Sequence, residues 1–119
     1  MNEGDSTASL EQFNLTEPTA LLLSAFLQEP LEWRYGYELA KDVSLSSGTL
    51  YPILRRLHAA GVLERHWVSE DVDGPRRRNY RLTTSGSAFA RTYVSEFERR
   101  ATDAEVKTRP AFPRAWAST

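Results

Sequence analysis

Apolar residues recur along the chain at two spacings, one typical of helices and one typical of strands. A helical spacing of three to four residues predicts a first helix that begins at the capping residue Thr16 and ends near Glu29, a short helix over 36–42 and a third over 46–60. Strand-like alternation follows at 62–70 and 78–83, separated by a turn-forming cluster. Helical spacing then returns after Thr84 or Ser85, either of which could cap the last helix.

The third helix contains the residues least expected in a helix. Ser46 is its best N-cap, because Leu45 and Leu50 then occupy the positions of a hydrophobic staple. This start places Gly48 and Pro52 inside the helix, although glycine and proline are the poorest helix formers. The helix should end at Gly61, which serves as a left-handed C-cap.

Two faces are predicted for this helix. The apolar face should contact the core and consists of Leu50, Ile53, Leu54 and Leu57. The opposite face presents hydroxyls, a phenol, bare backbone and guanidinium groups, all of which can bind phosphates or base edges. The residues predicted to bind DNA from this helix are Ser46, Ser47, Gly48, Thr49, Tyr51, Pro52, Arg55 and Arg56.

The last helix carries an aromatic stripe at strict four-residue spacing. Its members are Phe89, Tyr93 and Phe97, with Val94 beside them. The stripe belongs to a core, either of the same subunit or of an interface. We favour a second copy of the chain as its partner, because this helix and the first together have more apolar face than a small three-helix body can cover.

Charge is distributed unevenly along the 119 residues. The net charge is −1, but residues 1–32 contain no Lys or Arg, whereas Arg55 and Arg56 are adjacent and Arg76, Arg77 and Arg78 are consecutive. A phosphate backbone responds to local field rather than to net charge, so the three consecutive arginines are predicted to bind DNA phosphates or enter a narrow minor groove. The other interpretation is a solvated turn, offset by the acidic residues just before it.

Several function classes receive no support from the sequence. There is no cysteine, glycine-rich phosphate loop or HExxH pair, so we predict a protein that is not an enzyme, with no catalytic residues and no cofactor. His58 and His66 lack neighbours at ligand spacing, which favours surface histidines over a metal site. No signal peptide and no apolar run of about 20 residues is present, so we expect a cytoplasmic protein that does not contact a membrane.

Four segments in this order resemble PadR-type transcriptional regulators. They are GYELA at 36–40, SGTLYPILRRL at 47–57, GVL at 61–63 and GPRRRNYRLT at 74–83. The resemblance covers roughly residues 18–100. It is specific because the motif of the third helix occurs together with that of the family's wing, a β-hairpin whose basic part is expected at about residues 70–80. The chain departs from the family where Asn79 and Tyr80 replace two consecutive aromatics in the wing, and in a short loop before the third helix.

The resemblance implies a homodimeric transcriptional repressor that binds double-stranded DNA. Such a protein dimerises through its C-terminal helix and releases DNA when an effector binds. The expected fold is mainly α with a small β-hairpin: a winged helix-turn-helix domain plus a C-terminal dimerisation helix. The predicted division is an N-terminal arm or short helix at 1–15, the DNA-binding domain at 16–83, the dimerisation helix at 84–107 and a flexible tail at 108–119. The operator should be pseudo-palindromic, because two recognition helices each read one half-site.

Two further hypotheses remain open. Trp33 and Trp67 could line a pocket for a small aromatic effector, although packing in the core or interface is the simpler explanation. The alternative function is a winged-helix module that binds a protein partner through its wing and through the tail containing Trp116.

Overall fold

The computed structural model describes residues 13–68 and 77–108, which form four helices and three strands. The arm at 1–12, the turn at 69–76 with Arg76, and the tail with Trp116 lie outside the described residues. In chain order the elements are α1 (Glu17–Gln28), β1 (Arg34–Tyr35), α2 (Gly36–Val43), α3 (Ser47–Ala59), β2 (Leu63–Val68), β3 (Arg77–Leu82) and α4 (Thr84–Thr108). This order confirms the predicted winged helix-turn-helix fold.

Helices α1 and α3 start where the sequence predicts. The backbone N–H of Thr19 donates to Oγ1 of Thr16, and the N–H of Thr49 donates to Oγ of Ser46 at 3.3 Å. Gly61 follows α3 with φ of 82°, the left-handed conformation that a glycine adopts without strain. The predicted apolar face of α3 is confirmed, since all four of its residues are buried.

A three-stranded antiparallel sheet in the order β1-β3-β2 lies against the helices. β2 and β3 form the predicted hairpin, in which Leu63 pairs with Leu82 and Trp67 pairs with Arg78. Arg34 and Tyr35, just before α2, pair with β3 and add a third strand to the predicted hairpin. A two-residue strand is too short to show alternation, so its pairing depends on the neighbouring strand.

The cap of α4 also differs from the prediction by one residue. Oγ1 of Thr83 accepts from the N–H of Gly86 at 2.8 Å and donates to the carbonyl of Gly61 at 2.7 Å. One threonine therefore caps α4 and ties it to the end of α3. Gly86 is required there, because a Cβ would lie 1.9 Å from the carbonyl oxygen of Val62.

The aromatic stripe of α4 packs largely within its own chain, mainly against α1. Tyr93 is fully buried, and its hydroxyl donates to the carbonyl of Asn14 at 2.6 Å and accepts from the N–H of Thr16 at 2.9 Å. Phe89 is buried as well, with its ring centroid 5.4 Å from that of Phe13. Within this chain, α1 and the segment that enters it cover Phe89 and Tyr93, and the assignment of these two residues to a dimer interface stays a prediction.

The end of the stripe is less covered. Val94 and Phe97 are only partly buried. Between them in the sequence, Glu96 accepts hydrogen bonds from Arg99 and Arg100 on the surface, and these hydrogen bonds lower the pKa of its carboxyl to about 2. No helix in the described part of the chain is long and apolar enough to cross a membrane.

Candidate nucleic-acid interface

The first turn of α3 is exposed although the rest of the helix is anchored in the core. Ser46, Ser47, Gly48 and Thr49 are all exposed, as are Arg55 and Arg56 further along. Around Gly48 there is open space, since the nearest atom to an added Cβ is the Ser46 hydroxyl at 3.9 Å. Pro52 lies inside the helix and provides no N–H for the carbonyl of Gly48. This turn thus offers hydroxyls and bare backbone to a ligand.

Tyr51 does not project freely from the helix. Its side chain is partly buried and lies over Gly36, at the start of α2. A Cβ on Gly36 would come within 2.4 Å of the Tyr51 hydroxyl oxygen, so this close approach depends on the glycine. Tyr51 therefore connects the exposed turn of α3 with the first turn of α2.

Two of the three wing arginines are described, and each lies over an aromatic ring. The guanidinium carbon of Arg78 is 4.5 Å from the ring centroid of Trp67, and that of Arg77 is 5.2 Å from the ring centroid of Tyr37. Nη1 of Arg77 also donates to the Tyr37 hydroxyl at 3.5 Å. Tyr37 is 50% exposed, and its ring also stacks on that of Tyr35 with 5.5 Å between the ring centroids.

These groups surround one open cavity of about 770 Å³ between α2, α3 and the wing. Its lining consists of Tyr35, Gly36, Tyr37, Tyr51, Trp67, Arg77 and Arg78. The structure thus brings Tyr51 of α3 together with Arg77 and Arg78 of β3, which the sequence predicts as separate DNA-binding residues.

Trp33 and Trp67 do not share this cavity. The ring of Trp33 contacts His66 at 4.0 Å between centroids and lies under the guanidinium of Arg81 at 4.4 Å. His66 and Trp67 are consecutive in β2 and point to opposite faces of the sheet. The two tryptophans are therefore on different faces, and only Trp67 lines the cavity.

His58 lies in the positive electrostatic field of two arginines of the hairpin. The pKa of His58 in α3 is lowered, first because burial disfavours the imidazolium and then because Arg65 and Arg78 repel it. Within the described part of the chain, no group of three or more His, Cys, Asp or Glu side chains could hold a metal ion.

Sequence reasoning missed the contribution of α2 to this surface. Tyr35, Gly36 and Tyr37 line the cavity, although the sequence assigns none of them to DNA binding. Gly36 and Tyr37 lie in the GYELA segment, which is part of the family resemblance. That resemblance is the one feature of the sequence that could have indicated a role for α2 at this surface. Their proximity to Tyr51 and to the wing arises only from packing.

The fold and surface are those of a winged-helix transcriptional regulator. The model of the transcriptional regulator PadR-like family matches residues 23–92, more than half of the chain. The protein therefore belongs to the PadR-like family, whose members are transcription regulators and not enzymes.

Individual relatives agree with this assignment. The chain is 47% identical over 66 residues to transcriptional regulator Rv3488 of Mycobacterium tuberculosis, a match that covers 54% of this chain and 51% of the relative. Among solved structures, a PadR family regulator of Eggerthella lenta is 25% identical with a TM-score of 0.62 and covers 79% of this chain and 86% of its own. A PadR family regulator of Clostridium difficile is 27% identical with a TM-score of 0.59, covering 77% and 98% respectively.

A more distant structure shares the fold alone. The complex of the Staphylococcus aureus regulator MepR with DNA is 24% identical to this chain with a TM-score of 0.58, and covers 83% of this chain and 77% of its own.

Proposed function

We propose that the protein is a sequence-specific DNA-binding repressor that acts as a homodimer. The N-terminal half of α3 enters the major groove, and the wing lies along the backbone or the adjacent minor groove. The observation that carries this proposal is the exposed turn from Ser46 to Thr49, which a buried apolar face holds in place and which is followed by Tyr51, a residue that lines the same cavity as Arg77 and Arg78. Hydroxyls and glycine in an exposed turn suit base edges, and guanidinium groups that pair with no carboxylate among the described residues suit phosphates.

The residues divide by expected role. Thr49 is exposed on the first turn of α3, so its side chain is available to base edges in the major groove. Arg55 and Arg56 are also exposed, three to four residues before the end of α3, and are available to phosphates. The wing arginines neutralise phosphates, which adds affinity for any DNA sequence.

Dimer formation is supported by the length of α4. The helix has 25 residues and extends about 37 Å, but its last buried residue is Tyr93. An isolated helical segment of about 15 residues is marginally stable in water, so the C-terminal half of α4 gains from a covering partner. Val94 and Phe97, both partly buried, remain the candidates for this interface, together with exposed Leu21 on α1.

Selection of bound fragments from random DNA tests specificity, symmetry and spacing in one experiment. We expect a pseudo-palindrome with half-site centres one or more helical turns (~34–36 Å) apart. A gel shift on the selected site with nonspecific competitor should retain a specific complex. Loss of that complex would instead favour the alternative of a protein-binding module.

Variants separate the two kinds of contact. Replacing Arg76, Arg77 and Arg78 with alanine should weaken binding to all DNA similarly. It should also reduce the salt slope, which is the slope of the logarithm of the binding constant against the logarithm of the salt concentration, by roughly 0.9 for each of up to about three lost phosphate contacts. Replacing Thr49 should weaken the selected site far more than random DNA. An unchanged salt slope in the triple variant would show that the wing does not contact phosphates.

The dimer is tested separately. Sedimentation velocity across a concentration series should show a dimer for the wild type and a shift toward monomer for Phe97→Asp. Leu31→Asp is the matched control, because Leu31 is 81% exposed in the loop after α1. A monomer at all concentrations in the wild type would overturn the homodimer.

A further inference from the structure

The cavity between the recognition helix and the wing contains two arginines whose faces are already occupied by aromatic rings. Trp67 lies against Arg78 at 4.5 Å, and Tyr37 lies against Arg77 at 5.2 Å and also accepts a hydrogen bond from it. A guanidinium stacked by its face keeps its N–H edges available and loses much of its rotational freedom. Each ring therefore orients an arginine in advance of any ligand.

Neither arginine is neutralised by a described neighbour. Among the described residues no carboxylate lines the cavity, and neither Arg77 nor Arg78 forms an ion pair there. The contrast is Arg81 on the same strand, whose guanidinium binds the carboxylate of Glu64 at 3.1 Å. The cavity thus holds two positive charges that can bind an anion.

Arg78 is partly enclosed by the fold, which limits the N–H groups that a ligand can reach. Nε of Arg78 is inaccessible to solvent and has no hydrogen-bond partner among the described residues. A phosphate that enters the cavity therefore meets the other N–H groups of Arg78 rather than Nε, which the fold encloses. Arginine N–H groups match the oxygens of a phosphate in geometry as well as in charge.

The position of the cavity identifies the source of that phosphate. Tyr51 of α3 lines one side and the wing arginines line the other. DNA bound by both elements must pass its backbone from one groove to the next between them. A phosphate of that backbone is thereby placed over the cavity.

We propose that this cavity binds a phosphodiester of the DNA backbone through Arg77 and Arg78, and that Tyr37 and Trp67 are positioning residues that hold those arginines in place. The inference rests on the proposed function for its ligand. It adds the first turn of α2 to the DNA interface and gives Trp67 a role other than effector binding.

The test compares variants that remove a supporting ring with variants that conserve one. Trp67→Ala and Tyr37→Ala should each reduce the salt slope by up to about one contact, roughly 0.9, and weaken random and selected duplexes by a similar factor. Trp67→Phe and Tyr37→Phe retain a ring and should stay close to wild type. Fluorescence anisotropy of labelled duplexes between about 50 and 200 mM salt gives both quantities.

Trp33→Ala is the matched control. It also removes a ring stacked on an arginine, but that arginine is Arg81, which pairs with Glu64 on the other face of the sheet. The salt slope should not change in this variant. Melting temperatures of all variants identify any that fail to fold. An alanine variant that fails is replaced by Trp67→Leu or Tyr37→Leu, which keeps apolar volume without an aromatic face and should show the same reduced slope.

The outcomes separate this inference from the proposed function. A specific complex with an unchanged salt slope in both alanine variants would overturn the inference and leave the regulator intact. A reduced slope on random duplex without a specific site would support the inference and overturn sequence specificity. Failure to bind any duplex at low salt would overturn both.

Inorganic phosphate distinguishes backbone phosphate from a free ion. Added to the wild-type complex at constant ionic strength, it should displace DNA no better than chloride does. Stronger displacement by phosphate, reduced in Trp67→Ala, would show that the cavity is a site for a free anion and would overturn the assignment to the backbone.

Discussion

Removing one hydroxyl from Tyr93 should destabilise the protein strongly for so small a change. The phenol is fully buried and bridges the carbonyl of Asn14 and the N–H of Thr16, the residue that caps α1. Tyr93→Phe leaves both backbone groups without this partner while the ring keeps its packing. Losing a buried hydrogen-bond partner costs about 1–3 kcal/mol of unfolding free energy.

The chain contains a matched control in Tyr80. That ring is also fully buried, but its hydroxyl has no hydrogen-bond partner among the described residues. Tyr80→Phe removes an unsatisfied polar group, so the unfolding free energy should stay the same or increase. The two substitutions delete the same atom from the same kind of side chain and differ only in its hydrogen bonds.

Urea unfolding followed by circular dichroism measures both effects. With an m-value of roughly 1–3 kcal/mol per M, Tyr93→Phe should lower the midpoint by on the order of 1 M, and Tyr80→Phe should not lower it. Equal losses in the two variants would refute the reasoning, because burial alone would then explain the effect. A wild-type midpoint in Tyr93→Phe would show that the segment before α1 does not cover α4 as described.

Three other substitutions test separate parts of the structure. Gly48→Ala should raise the unfolding free energy by up to about 1 kcal/mol, because the site is open, yet weaken DNA binding in a gel shift; unchanged binding would exclude close backbone approach there. Gly86→Ala should lower the melting temperature by several degrees, because its Cβ collides with the carbonyl of Val62, and a wild-type melting temperature would contradict that contact. Because the pKa of His58 is lowered in the folded state, the unfolded chain binds its proton more readily, so stability should fall from about pH 7.5 to 5.5. In urea unfolding, the free energy of unfolding of His58→Gln should fall less over that pH interval than that of the wild type. An equal fall in both proteins would exclude this histidine as a source of acid sensitivity.

The sequence by itself determined the local features of α3. Ser46 as the cap, Pro52 inside the helix and Gly61 as its end follow from side-chain chemistry within a few residues. Its buried and exposed faces follow from the recurrence of apolar residues every three to four positions, which is visible within the helix itself. Strands β2 and β3 were predictable for the same reason, since alternation is visible over six residues.

Only the tertiary structure decided which surfaces meet. The stripe with Phe89 and Tyr93 shows that an apolar face must be covered, but not whether α1 or a second copy covers it. Likewise, two tryptophans in one chain do not reveal that Trp33 and Trp67 lie on opposite faces of a sheet. The periodicity of the sequence determines on which face of its own helix or strand a side chain lies. Which residues it then contacts depends on how segments that are distant in the sequence pack together. For that reason Tyr37 and Trp67 became part of the candidate DNA interface only in three dimensions.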